Sequence, residues 1–211
     1  IAALNDGKYV ITWHDQEGYP EYYNVYYQMF NADGSKLGSE TLVNDTSAND
    51  QYVGGISSTS DGSFIITWSS MQDGSGYGIY AQRFDSDGIK VGVETLINTT
   101  TYQDQSGSTI VTLADGTYVS VWRSDNQVDT DANTITLKHF SFNADHTLNV
   151  ITDEVELHAP TSNANSSEFH DIVALTDGGY VVVWEVESHD IWAQIFNADD
   201  TLHGDLIQID N

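Results

Sequence analysis

The stretch IAALNDGKYVITW at residues 1–13 decides the fold, because it returns three times: ISSTSDGSFIITW at 56–68, IVTLADGTYVSVW at 110–122 and IVALTDGGYVVVW at 172–184. Asp6, Asp61, Asp115 and Asp177 each precede a glycine, and each lies seven residues before Trp13, Trp68, Trp122 or Trp184. A spacing held over four copies is the mark of a repeat architecture.

A second phrase follows each Trp: VYYQMFNADGSKLG from Val25, IYAQRFDSDGIKVG from Ile79 and IWAQIFNADDTLHG from Ile191. The third copy carries it as ITLKHFSFNADHTLN from Ile135, where either Phe140 or Phe142 matches Phe30, Phe84 and Phe196. ETLVN at 40–44, ETLIN at 94–98 and the looser LIQID at 206–210 close the unit. The phrase starts at 1, 56, 110 and 172 lie 55, 54 and 62 residues apart. One repeat domain over 1–211 is expected, with units of about 1–55, 56–109, 110–171 and 172–211.

Each unit reads as four strands, A to D. Asp-Gly between A and B predicts a tight hairpin of type I′, whose central residues need φ > 0. Strand B alternates, with Tyr9, Ile11 and Trp13 on one face and Val10 and Thr12 on the other. Both faces are apolar, which predicts a strand covered on both sides. Four antiparallel strands per unit with aromatic faces describe propeller blades. The expected fold is therefore all-β, four tandem four-stranded antiparallel units forming a four-bladed β-propeller. An open array or sandwiched sheets is the alternative. The four repeated Trp residues are expected between neighbouring units, where burying one ring contributes about 4–6 kcal/mol before entropy costs.

The chain holds 32 Asp plus Glu against 6 Lys plus Arg, a formal charge of −26. Phosphate backbones and anionic membranes need the opposite sign, so nucleic acid is excluded as a partner, and cations are the natural counterpart. No cysteine occurs, which rules out disulfides and thiolate metal sites. No apolar run reaches 18 residues, so membrane insertion by a helix is not expected. The opening Ile1-Ala2-Ala3-Leu4 falls inside a repeat and reads as part of a longer polypeptide.

The phrases DGGYVVVW, IYAQRFDSDG and VGVETLIN resemble the roughly 50-residue repeats of large secreted bacterial RTX-type (haemolysin-type calcium-binding) proteins and adhesins. The resemblance spans essentially the whole chain. It implies a secreted or cell-surface bacterial protein, a calcium-rich setting and a role in adhesion. The glycine-rich nonapeptide of RTX calcium rolls is absent, so that kind of calcium site is not implied.

In an up-and-down sheet the A–B and C–D turns share one end, and the B–C loops and D–A linkers share the other. The turns are near-identical, whereas the loops at about 14–24, 69–78, 123–134 and 185–190 and the linkers at about 45–55, 99–109 and 158–171 vary. Binding residues favour variable loops on a rigid scaffold, which places a ligand face at the loop end. Tyr19, Tyr22 and Tyr23 are the candidate contacts to a glycan or protein surface. Asp125, Asp129 and Asp131 gather oxygen ligands of the kind Ca²⁺ takes. The turn acids Asp33, Asp87, Asp145 and Asp199 are expected to make Asx turns, and Gln28, Gln82 and Gln194 to bond across strands. Asn44, Asn98 and Asn165 match the glycosylation acceptor pattern.

No catalytic residues are assigned. Seven His are scattered without a metal-binding pair on a helix, and no nucleophile elbow or phosphate-binding loop occurs. Two carboxylates suffice for a glycosidase, so a glycoside-processing propeller is the enzymatic alternative. The reading is a non-catalytic extracellular binding or adhesion module, with Ca²⁺ as its cofactor. A structural spacer of a surface protein is its non-enzymatic rival.

Overall fold

The computed structural model describes residues 1–16, 22–125, 133–158, 166–186 and 189–210. Four separate four-stranded antiparallel sheets follow one another in chain order. The first holds β1 (Ala2–Ala3), β2 (Tyr9–Gln16), β3 (Tyr23–Phe30) and β4 (Lys36–Leu42). The second holds β5 (Gln51–Ser58), β6 (Phe64–Ser70), β7 (Gly78–Phe84) and β8 (Lys90–Leu96). The third holds β9 (Gln105–Thr112), β10 (Tyr118–Asp125), β11 (Asn133–Phe142) and β12 (Leu148–Leu157). The fourth holds β13 (Ser166–Ala174), β14 (Tyr180–Val186), β15 (Ile191–Phe196) and β16 (Ile207–Gln208). Every sheet is an up-and-down meander, as the repeat required.

The sheets pack as propeller blades. In the first junction Val10, Val25, Tyr27 and Met29 of blade one meet Phe64, Ile66, Trp68, Tyr80 and Phe84 of blade two. Ile65, Ile79 and Ala81 of blade two then meet Ile110, Tyr118, Trp122 and Phe140 of blade three. Val119, Val121, Ile135 and Leu137 of blade three meet Tyr180, Val182, Trp184 and Phe196 of blade four. Each Trp-bearing face thus rests on the aliphatic face of the blade before it. Trp68, Trp122 and Trp184 are at most 1% exposed. Trp13, whose face meets no other blade among the described residues, stays half-buried. β6 is covered on both faces as expected, but β2 is not. Three such cores join the blades in order, and none among the described residues joins the fourth to the first.

The linkers are shorter than the sequence suggested. β5, β9 and β13 start at Gln51, Gln105 and Ser166, inside segments read as linker. Gly54 and Gly55 explain the first case. A Cβ on Gly54 would lie 2.7 Å from the Ser108 carbonyl oxygen, and one on Gly55 would lie 2.8 Å from the Ile110 nitrogen. The glycines sit there because the innermost strands of blades two and three nearly touch, and not because the chain turns.

The turns also depart from expectation. Only the first A–B hairpin has positive φ at both centres, Asp6 (60°) and Gly7 (74°). In the other three, only the glycine is left-handed, with Gly62, Gly116 and Gly178 at φ 88°, 85° and 93°. There Asp61, Asp115 and Asp177 accept the backbone N–H two residues on at 2.9–3.1 Å, folding a β-turn that ends on the glycine. Hydrogen bonds from Ser63 and Thr59 hold the Asp61 carboxyl down to about 2. Asp33, Asp145 and Asp199 make the same Asx turns in the C–D connections. Asp87 does not: the Ile89 N–H goes to Asp85 at 2.8 Å, and residue 89 carries no hydroxyl that could bond Asp87.

Register settles the third copy. Tyr118 pairs with Phe140, as Tyr9 does with Phe30 and Phe64 with Phe84. Gln28 and Gln82 bond the carbonyls of Leu37 and Val91 across the bulged C–D ladder. Asn44 and Asn98 are buried, and their Oδ1 atoms accept the N–H of Val25 at 2.8 Å and Ile79 at 2.6 Å. Neither amide is accessible for glycosylation. Asn165 lies outside the described residues.

Candidate functional site

The end of β2, the start of β3, the start of β5 and the loop before β7 converge at the loop end of the first junction. They bring four rings together. His14 meets Tyr23 and Tyr52 edge-on, with centroids 5.3 and 5.4 Å apart. Tyr23 and Tyr52 lie 5.4 Å apart, and Tyr52 and Tyr77 5.7 Å. The tyrosines are half-buried and His14 is exposed, so the group forms a continuous aromatic surface open to solvent.

Two linker carboxylates hold this surface in place. Asp50 accepts the Tyr23 N–H with Oδ1 at 3.1 Å and the Tyr52 hydroxyl with Oδ2 at 3.1 Å. Asp104 accepts the Tyr77 N–H at 2.9 Å. Each Asp comes from the linker ahead of the next blade and ties down the strand C entry of the blade before. His14 Nδ1 accepts the Val53 N–H at 3.3 Å, which leaves the proton of the neutral ring on Nε2. Burial, then the Asp50 carboxylate, pushes the Tyr52 hydroxyl up to about 12. Burial also raises Tyr77. The surface therefore offers flat π faces beside neutral hydroxyls and fixed carboxylates. That combination suits stacking on the apolar face of a ring whose own hydroxyls need acceptors.

Of the residues expected here, Tyr23 is in the cluster. Tyr22 is half-buried beside it, its carbonyl accepting the Asn24 amide at 3.3 Å. Tyr19 lies outside the described residues. His14, Tyr52 and Tyr77 were missed, because they belong to three separate sequence segments. The recurring Asp-Gln that opens strand A at 50–51 and 104–105 was the available signal.

Asp125 ends β10 with its Oδ1 3.0 Å from the Arg123 guanidinium. Asp129 and Asp131 lie outside the described residues. Among the described residues no group of three His, Asp or Glu is arranged to hold a metal.

A polar chain at the opposite end links Thr117, His139 and Asp200. Thr117 Oγ1 lies 2.6 Å from His139 Nε2, and His139 Nδ1 lies 2.9 Å from Asp200 Oδ2. The order resembles a catalytic triad, but the geometry is that of a clamp. His139 is 2% exposed. Asp200 also accepts the Tyr180 hydroxyl at 2.9 Å and the Thr152 hydroxyl. Both imidazole nitrogens are engaged between blades three and four, so the ring is closed off from a substrate.

No protein-family model matches the chain, and no curated protein matches it. Solved structures do. A protein of unknown function from Dyadobacter fermentans superposes with a TM-score of 0.65 at 10% identity, over 98% of this chain and 67% of that one. The periplasmic gluconolactonase of Pseudomonas aeruginosa gives 0.49 at 10% identity, over 99% and 71%. An endo-1,4-β-xylanase from Bacteroides thetaiotaomicron gives 0.46 at 9%, over 93% and 76%. At such identities the likeness concerns the fold alone, and the first match carries it.

Proposed function

We propose that this chain is a non-catalytic, extracellular bacterial binding or adhesion module that recognises a glycan or a protein surface through the aromatic cluster at its loop end. The observation that carries the reading is the solvent-open set of His14, Tyr23, Tyr52 and Tyr77, fixed by Asp50 and Asp104. Aromatic side chains deliver large contact area at low entropic cost, and they dominate recognition hot spots. The −26 charge supports a setting rich in cations and Ca²⁺ as an associated ion.

The test is a printed glycan array probed with the labelled chain, beside a panel of chromogenic glycosides. Discrete array binding with no turnover supports the module. Turnover of any glycoside would replace it with the glycosidase reading. Silence on the array, and on a panel of surface proteins, would leave a spacer.

A further inference from the structure

The aromatic platform lies in an internal junction. His14 and Tyr23 share strand parity with Val10 and Val25, whose side chains pack against blade two. Tyr52 and Tyr77 come from blade two itself, in β5 and just ahead of β7. Three tyrosine rings therefore adjoin one another across the junction, Tyr23 to Tyr52 at 5.4 Å and Tyr52 to Tyr77 at 5.7 Å, with His14 against the first two. All three are half-buried, so their flat faces are reachable while their backbones are fixed in or beside strands.

Acid without base frames these rings. The segments that build the loop end of this junction, 14–24, 45–55, 69–78 and 99–109, hold three, two, one and one Asp or Glu and no Lys or Arg. Lys90 reaches Asp45 at 2.6 Å from β8. Among the described residues Asp15, Asp50 and Asp104 have no Lys or Arg partner. Asp104 spends Oδ1 on the Tyr77 N–H at 2.9 Å, and its Oδ2 accepts no donor among the described residues. Asp50 accepts one donor on each oxygen, which leaves lone pairs free on both. The platform thus joins electron-rich ring faces to carboxylates with acceptor capacity to spare. Both attract a cation, and the ring faces add to the attraction of the carboxylates. A ligand bearing carboxylates or sulfates would meet the same groups as repulsion.

We infer that the ligand of this platform is a glycan with free amino groups, a deacetylated amino-sugar chain whose rings stack on Tyr23, Tyr52 and Tyr77 and whose ammonium groups lie beside Asp50 and Asp104. The inference rests on the glycan-binding reading proposed above for the same surface and adds the charge of the sugar. Charge complementarity selects this class over neutral and acidic glycans. Adjoining flat rings select it over a basic peptide: a lysine brings the ammonium on a flexible stem without a flat apolar face, and loses its rotamer freedom on binding.

Isothermal titration of the full chain with short β-1,4-linked oligomers of glucosamine, of N-acetylglucosamine and of glucose, and with a lysine peptide of equal charge, tests this in about 0.15 M NaCl to screen long-range attraction. The glucosamine oligomer is expected to bind about tenfold tighter than the other two sugars and the peptide. Tyr52→Ala with Tyr77→Ala should abolish that binding. Asp104→Asn keeps an oxygen for the Tyr77 N–H and removes the charge, and should narrow the preference for the amine by about threefold or more. An N-acetylated or neutral oligomer bound as tightly as the amine, and lost in the double Tyr variant, would overturn the inference and leave the glycan-binding reading standing. Amine binding that survives the double variant, or a lysine peptide bound as tightly, would overturn it as bulk attraction to the −26 charge. Silence of the amine oligomer beside hits for other glycans on the array would overturn the inference alone, and silence on both would overturn the glycan-binding reading with it.

Discussion

His139 on blade three and Asp200 on blade four face each other across a blade junction, with Nδ1 2.9 Å from Oδ2 and both side chains almost wholly buried. Asp200 occupies a left-handed turn position, φ 63°, that glycine fills in blades one and two. It is held there by three donors: His139, Tyr180 and Thr152. Burial, and then the Asp200 carboxylate, drives the Tyr180 hydroxyl far above the ordinary tyrosine range. Removing Asp200 strands all three donors. Asp200→Ala is expected to destabilise the chain by about 3–5 kcal/mol, read as a lower urea midpoint. Asp200→Gly relaxes the backbone but strands the same donors, so it should recover only a small part of that loss.

The two kinds of Trp should behave differently. Trp68 is sealed between blades, and Trp68→Ala is expected to cost about 3–5 kcal/mol. Trp13 carries the same phrase on an uncovered face. Trp13→Ala should cost less than half as much, because the ring is only half-buried. Equal losses in urea unfolding would mean that Trp13 is covered within the single chain.

The Tyr52 hydroxyl supplies a pH signature of the aromatic cluster. Its folded value of about 12 lies above the ordinary value near 10. A raised folded value means that the contribution is complete below the unfolded pKa and is lost as pH rises from about 10 through 12. The difference between wild-type and Tyr52→Phe absorbance titrations should show one late ionisation near 12. Asp50→Asn removes the second cause of the shift and should move that ionisation earlier.

Ca²⁺ is expected to raise the melting temperature beyond what NaCl of equal ionic strength achieves, and EDTA to reverse the rise. A site filled at a hundredfold excess over Kd stabilises by about 2.7 kcal/mol. Equal shifts with Ca²⁺ and NaCl would reduce the 32 carboxylates to a screened surface.

The blades were legible in sequence because the repeat fixes strand, turn and Trp in one register, and sheet faces follow from alternation alone. The inner strand A was half missed. Its Gln-Tyr-Val-Gly-Gly start at 51–55 obeys close approach to Ser108 and Ile110, and not strand propensity. The turn class was missed because Asp-Gly suits two hairpin geometries, and the Asx bond to residue 63, 117 or 179 chooses between them. Of the binding surface, only Tyr23 and its neighbour Tyr22 could be read. Their partners His14, Tyr52 and Tyr77 arrive from two blades, and no local pattern links segments that meet only across a junction.

The most direct measurement is the glycan-array profile of wild type beside Tyr52→Ala combined with Tyr77→Ala, two half-exposed positions outside the blade cores. Expected is discrete binding by wild type that falls at least tenfold in the double variant, with far-ultraviolet circular dichroism unchanged. The same spots bound at the same strength by a folded double variant would contradict the aromatic cluster as the binding surface.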